Sequence, residues 1–214
     1  MKFAVILSGC GVFDGTEIGE AICTLLAMEE QGIRWEALAP HRESAKHVNH
    51  LTQADVAEKR YVLQEAARIV RGEIKDIATA NVEDYDAVII PGGFGAMQNL
   101  CDFAQVDMDY QLFPKVAHFL EQAVHKQLPM GFICIAPMLI PRLVRGATFT
   151  IGNDVELAQK IQKLGCVHQD CSADDIVIDT AHKIVSTPAR MLAENFVELK
   201  QGISKLVAAV ATLV

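Results

Sequence analysis

The chain has 214 residues, enough for one α/β domain with a substantial buried core. Half of it is hydrophobic (51%), yet no apolar run approaches the roughly 20 residues that span a bilayer, and Met1 to Leu7 lack the apolar core of a secretory signal, so a cytoplasmic protein with no membrane partner is expected. The formal net charge is −8 and the basic residues are scattered, which excludes the positive stripe a nucleic-acid partner requires.

Phe3 to Leu7 is a short apolar run ended by Ser8-Gly9-Cys10-Gly11, the pattern of a strand buried on both faces. Between Thr16 and Gln31 the apolar residues recur at helical spacing, and Gly32 is a stop signal. Ile33 to Ala39 reads as a second strand, which completes a βαβ unit. The stretch from His41 to Ala80 is less regular: it carries a helix over Ala54 to Arg68 and reads as an insertion. Ala87 to Ile90, a helix over Phe113 to Lys126 and Met130 to Ile133 resume the alternation. A strand at Ala147 to Ile151 and a helix from Asp154 to Leu164 come next, then short strands at Ile176 to Ile178 and Lys183 to Val185. From Met191 onward the chain is mostly helical. No linker or repeat divides it, so residues 1–214 form a single domain whose mostly parallel sheet is covered on both faces.

Open parallel sheets bind ligands beyond the carboxyl ends of their strands. Three loops qualify: Ser8 to Thr16, Pro91 to Ala96, and Cys134 to Pro137. Cys134 stands where an apolar strand meets a helix, the arrangement of a nucleophile elbow. The partial positive charge at the helix start favours a thiolate and a pKa below that of a free cysteine. A buried cysteine can equally be a small hydrophobe. In Pro91-Gly92-Gly93, glycine lets backbone N–H groups approach a ligand. The N–H groups of Gly93 and Ile135 would form an oxyanion pair, with Gly92 beside them, unless the glycines only make a tight turn. Glu17 and Glu20 share a face near the start of the first helix, and either can meet the sulfur as a protonated carboxyl. Acidic residues also favour a helix start for its own sake.

Other residues offer competing chemistry. Gly9, Gly11 and Gly15 give GxGxxxG where a dinucleotide fingerprint needs GxGxxG, and Glu36 is the carboxylate such a reading would place on a ribose. Six cysteines occur without a CxxC pair, and reduced thiols are the default in the cytoplasm. Cys166, His168 and Cys171 are the one dense group of soft ligands, and no metal is assigned to them. His168 and His182 lie where a Cys-His hydrolase would carry its base, but in no matching motif.

Several stretches together resemble the ElbB group of the PfpI, class I glutamine amidotransferase-like superfamily. They are Ser8-Gly9-Cys10-Gly11-Val12-Phe13-Asp14-Gly15, Asn49-His50-Leu51-Thr52, Pro91 to Ala96, Gly131 to Pro137, and Thr187-Pro188-Ala189. The resemblance implies a flavodoxin-like three-layer sandwich, a homodimer, and a cofactor-independent glyoxalase that turns glyoxal, and by extension methylglyoxal, into the hydroxy acid. Deglycase-like activity can accompany it. It makes Cys134 the nucleophile, Glu20 the carboxyl at the thiol with Glu17 the fallback, and Gly93 and Ile135 the oxyanion donors. The sequence departs from peptidase and glutaminase members because Ile135, and no histidine, comes directly after the cysteine. The alternative is a non-enzymatic redox sensor or metabolite-binding regulator that uses the same cysteine.

Overall fold

Alternate residues of the first strand, β1 (Lys2–Ile6), enter different cores. Ala4 and Ile6 join one apolar cluster while Phe3 and Val5 join another, as a strand covered on both faces must. The computed structural model, which describes all 214 residues, builds outward from this strand. After it come α1 (Ile18–Glu30), β2 (Arg34–Ala39), a looped segment over 41–61, the short α2 (Val62–Ala66), β3 (Ile74–Asp76) and β4 (Ala87–Ile90). A π-helical turn at Ala96–Leu100 leads to the single-turn α3 (Phe103–Val106), α4 (Pro114–His125) and β5 (Met130–Ile133). A 3-10 helix over Ala136–Arg142 precedes β6 (Thr148–Phe149), α5 (Val155–Lys163), β7 (Val167–His168), β8 (Val177–Asp179), β9 (Ile184–Thr187) and α6 (Phe196–Thr212).

Seven strands form one sheet in the order β3-β2-β1-β4-β5-β9-β8, and only β8 runs antiparallel. On one face α1 lies along α6, whose Leu199, Ile203, Leu206, Val207 and Val210 are buried; burying five such side chains stabilises the fold by on the order of 10 kcal/mol before entropy is subtracted. On the other face α4 presents Val116, Phe119, Leu120 and Ala123 to the sheet. This is the expected flavodoxin-like three-layer sandwich. No helix is long and apolar enough to cross a membrane. Because the chain moves outward from β1 through β2 to β3 and then returns to place β4 on the other side of β1, strand order reverses there and a crevice opens beyond the strands' carboxyl ends.

Caps explain the helix limits. Glu17 accepts the Glu20 N–H at the start of α1, Asp154 accepts from Leu157 at the start of α5, and Asn195 accepts from Val197 and Glu198 at the start of α6. Three expectations are corrected. The helix over Ala54 to Arg68 shrinks to α2, because residues before it pair as bridges, Glu43 with Tyr61 and Val48 with Asp55, and the Arg60 N–H goes to His47 Nε2. The strand at Ala147 to Ile151 is only β6, and it pairs with β7 in a separate two-stranded sheet. The edge strand β3 has no counterpart among the expected elements, so residues 62–80 belong to the βα alternation and only 41–61 stands outside it.

Candidate active site at Cys134

Sheet register brings the two site loops together. Ile90 of β4 pairs with Phe132 of β5, and Ile133 with Thr187 of β9, so the loops after these strands open side by side. Cys134 leaves β5 with φ 62°, a left-handed conformation that a non-glycine residue adopts at a cost. Its N–H is held by the Thr187 carbonyl at 2.9 Å. The sharp turn aims the side chain back over the end of the sheet, where the residue is 7% exposed.

Glu20, fully buried on the first turn of α1, is the carboxyl that meets the sulfur. The Gly92 N–H donates to its Oε2 at 2.8 Å and the Arg190 N–H to its Oε1 at 3.2 Å. Glu17 does something else: it caps α1 by accepting the Glu20 N–H at 2.6 Å, and its own N–H donates to the Gly92 carbonyl. The backbone N–H groups of Gly93 and Ile135 lie near enough to the Cys134 sulfur to favour its thiolate. Space explains the glycines. A Cβ on Gly92 would lie 2.6 Å from the Cys134 Cβ and 2.9 Å from Glu20 Oε2, and one on Gly93, whose φ is +95°, would strike the Gly15 carbonyl.

The electrostatics reverse one expectation. Cys134 leads into a 3-10 helix containing Pro137 and Pro141, with neither the length nor the alignment of a strong dipole. Burial, reinforced by Glu20, pushes the thiol well up, and the Gly93 and Ile135 N–H groups offset only part of this. Burial, with Glu17 adding to it, likewise pushes the Glu20 carboxyl up to about 8. At neutral pH Glu20 therefore carries a proton that it can share with the sulfur.

A cavity of about 370 Å³ opens over Cys134. Val12, Phe94, Leu157 and Met191 form apolar walls, Arg190 and Asp154 are its charged members, and Gly93, Cys134 and Ile135 complete the lining. No histidine lines it. His182 pairs with Asp179 at 2.8 Å on the turn before β9, at the amino ends of the strands. His168 accepts the Ile151 N–H, Cys166 donates to the Val144 carbonyl and Cys171 to that of Ser172, so these three serve separate partners. The nucleotide reading fails on geometry. Gly11 and Gly15 N–H groups are spent inside their own loop, and Glu36 is engaged by Lys2, Lys75 and Tyr85. Sequence reasoning missed Arg190, because nothing in it reveals that β9 lies beside β5.

A human protein, glutamine amidotransferase-like class 1 domain-containing protein 3, mitochondrial, is 35% identical over 99% of this chain and 83% of its own length. The chain belongs to the ElbB group of the PfpI, class I glutamine amidotransferase-like superfamily. An isoprenoid biosynthesis protein with an amidotransferase-like domain from Ehrlichia chaffeensis superposes on this ElbB-group chain with a TM-score of 0.92 at 30% identity, over the whole of both chains. Glyoxalase III from Candida albicans has the same fold, with a TM-score of 0.64 at 12% identity over 100% of this chain and 97% of its own. No family model matches the sequence.

Proposed function

We propose that this protein is a cofactor-independent glyoxalase acting on glyoxal and methylglyoxal. The observation that carries the reading is the buried Glu20 carboxyl set beside Cys134 against Gly92, with the Gly93 and Ile135 N–H groups near enough to favour the thiolate and the cysteine lining a largely apolar cavity. The thiolate adds to one aldehyde carbon, and Glu20 gives its proton to the new alkoxide, which the Gly93 and Ile135 N–H groups hold. Glu20, now ionised, takes the proton from the sulfur-bearing carbon and returns it to the neighbouring carbon, while the hydroxyl proton on the first carbon passes to the oxygen of the second, leaving a thioester carbonyl beside an alcohol. The resulting thioester is cleaved by water, which releases the hydroxy acid and restores the thiol. Oxidation states balance within the substrate, so no external oxidant enters.

A redox-sensing role draws less support. Oxidation requires a solvent-accessible thiolate to attack the peroxide oxygen, and Cys134 is buried with its thiol pushed up. Cytoplasmic location belongs to the proposed reading and is checked by cell fractionation. A homodimer belongs to it too, and the free face of α1 offers the surface: Ile18, Ile22 and Leu26 are 47%, 46% and 41% exposed.

The deciding test is steady-state formation of glycolate from glyoxal, and of lactate from methylglyoxal, in thiol-free buffer. Wild type should turn over, while Cys134→Ala should be inactive with an unchanged circular dichroism spectrum. Negligible wild-type turnover, or an active Cys134→Ala, overturns the proposal.

A further inference from the structure

The Cys134 cavity is larger than a small dicarbonyl needs. Its volume is about 370 Å³, and cavities from ~300 Å³ upward hold ligands of drug size, whereas glyoxal has four heavy atoms and methylglyoxal five. Thiol addition and oxyanion binding engage only Cys134, Gly93 and Ile135. The rest of the lining is left for whatever else the substrate carries.

That remainder is mostly apolar and comes from four separate parts of the chain. Val12 follows β1, Phe94 follows β4, Leu157 lies on α5 and Met191 follows β9. Val12 and Phe94 belong to neither of the two apolar cores, and Phe94 is 53% exposed. Apolar side chains that border a cavity without packing into a core favour an apolar group that covers them. Backbone bonds hold the walls in place. The Phe94 N–H donates to the Val12 carbonyl at 2.8 Å, which ties the loops after β1 and β4 to each other, and Asp154 Oδ1 accepts the Leu157 N–H at 3.0 Å. The two charged lining residues have partners inside the protein. Asp154 has that cap, while the Arg190 guanidinium stacks 4.4 Å from the Phe196 ring centroid and its Nη1 donates to the Ala193 carbonyl at 3.5 Å.

We infer that the preferred substrate of this site is a 2-oxoaldehyde whose ketone carbon carries an apolar substituent larger than methyl, seated against Val12, Phe94, Leu157 and Met191. The inference rests on the glyoxalase reading of the same cysteine and narrows its substrate class. The substituent takes no part in the bond changes. The thiolate adds to the aldehyde carbon, the hydrogen of that carbon moves to the ketone carbon, and one water enters at the thioester, so R–CO–CHO leaves as R–CHOH–COOH with nothing else consumed. Burial of the substituent holds the aldehyde carbon at the sulfur, and remote binding of this kind raises kcat/KM.

The experiment measures kcat/KM of the full chain for glyoxal, methylglyoxal and 2-oxohexanal. The last differs from methylglyoxal by three methylenes, and at roughly threefold for each methylene buried it should be turned over with a kcat/KM about tenfold higher or more. Phe94→Ala, at a residue outside both cores, and Leu157→Ala should each lower kcat/KM for 2-oxohexanal by about fivefold beyond any loss for glyoxal, because only the longer aldehyde reaches these walls. A second arm reads occupancy without turnover: Cys134→Ala is titrated with 2-hexanone and with acetone and followed by NMR chemical shifts. 2-Hexanone should bind saturably and about tenfold more tightly than acetone, and Phe94→Ala in the same background should weaken it. If wild type turns over none of the aldehydes, the glyoxalase reading fails, and the ketone arm still decides whether the cavity takes an apolar group. A kcat/KM that does not rise from methylglyoxal to 2-oxohexanal, equal losses for every aldehyde in the two wall variants, or 2-hexanone bound no more tightly than acetone overturns the inference.

Discussion

Glu20 and Cys134 compete for protons in a space with no room for two charges. Each is pushed up first by burial; Glu17 adds to the rise at Glu20, whose own charge in turn raises Cys134. They titrate as a pair: the first proton leaves near 8, and the second leaves only at much higher pH. The one-proton form, with a hydrogen shared between carboxyl and sulfur, is the species competent for both nucleophilic attack and proton relay. Below the first step the thiol is fully protonated and attack is slow. The expected kcat/KM for glyoxal therefore rises as pH increases through about 8. Glu20→Gln removes the relay and should lower kcat/KM by about 10²- to 10⁴-fold. It also leaves the buried thiol to titrate alone, which should carry the inflection upward. A pH-rate profile of the two proteins checks this, and an inflection that stays in place in Glu20→Gln would show that another group titrates.

At the scale of elements, the site is a meeting of three loops whose backbones approach too closely for side chains. Gly92→Ala should act on both stability and activity, because its Cβ meets the Cys134 Cβ, the Ile133 carbonyl and Glu20 at once; overpacking of this kind costs about 1–3 kcal/mol. Gly165→Ala provides the contrast. Its φ is +83° but the space around it is open, so it should cost about 1 kcal/mol from backbone strain alone and leave kcat/KM unchanged. Urea denaturation and the glyoxal assay on both variants separate the two effects, and equal catalytic loss in both would mean that the Gly92 contact has no special role. The elements that the sequence revealed were those with strong periodic signals: β4 and β5 match their apolar runs, and α4 begins at Pro114 where its stripe begins. The elbow was legible because a strand-like run ending in a cysteine needs no partner to be recognised. What stayed hidden was set by distant pairing. β3 is three residues long and exists because Ala37 to Ala39 lie beside it. Residues 54–60 have helix-compatible composition but give their backbone groups to bridges and to His47. The choice between Glu17 and Glu20 turned on which side chain reaches the loop after β4, and Arg190 enters only because β9 lies against β5.

At the scale of the whole molecule, the faces of the sandwich differ in how completely they are covered. α1 is buried against the sheet and α6 through Ala21, Leu25 and Met28, yet its outer side carries Ile18, Ile22 and Leu26 at intervals of four residues. Phe196 and Val197, 63% and 67% exposed at the start of α6, add two more large apolar side chains to the exposed surface of this layer. Gly19 ties the two helices together, since a Cβ there would lie 2.7 Å from the Phe196 ring. An isologous contact between copies places one α1 stripe against another about a two-fold axis. Three aliphatic side chains from each copy are too few by themselves for the ~800 Å² per partner of a stable interface, so a pairing that lasts must draw in the Phe196 region as well. Light scattering on the eluted protein should then give twice the 23.4 kDa chain mass. Ile22→Glu sets one unpaired carboxylate from each copy into the middle of the stripe, and it should return the protein to a monomer without loss of helical signal. Because Ile22 is exposed and is not among the residues that line the Cys134 cavity, a monomeric Ile22→Glu should keep its turnover if each copy holds a complete site. A wild type that elutes as a monomer at micromolar concentration would refute the pairing and leave the stripe as ordinary exposed apolar surface.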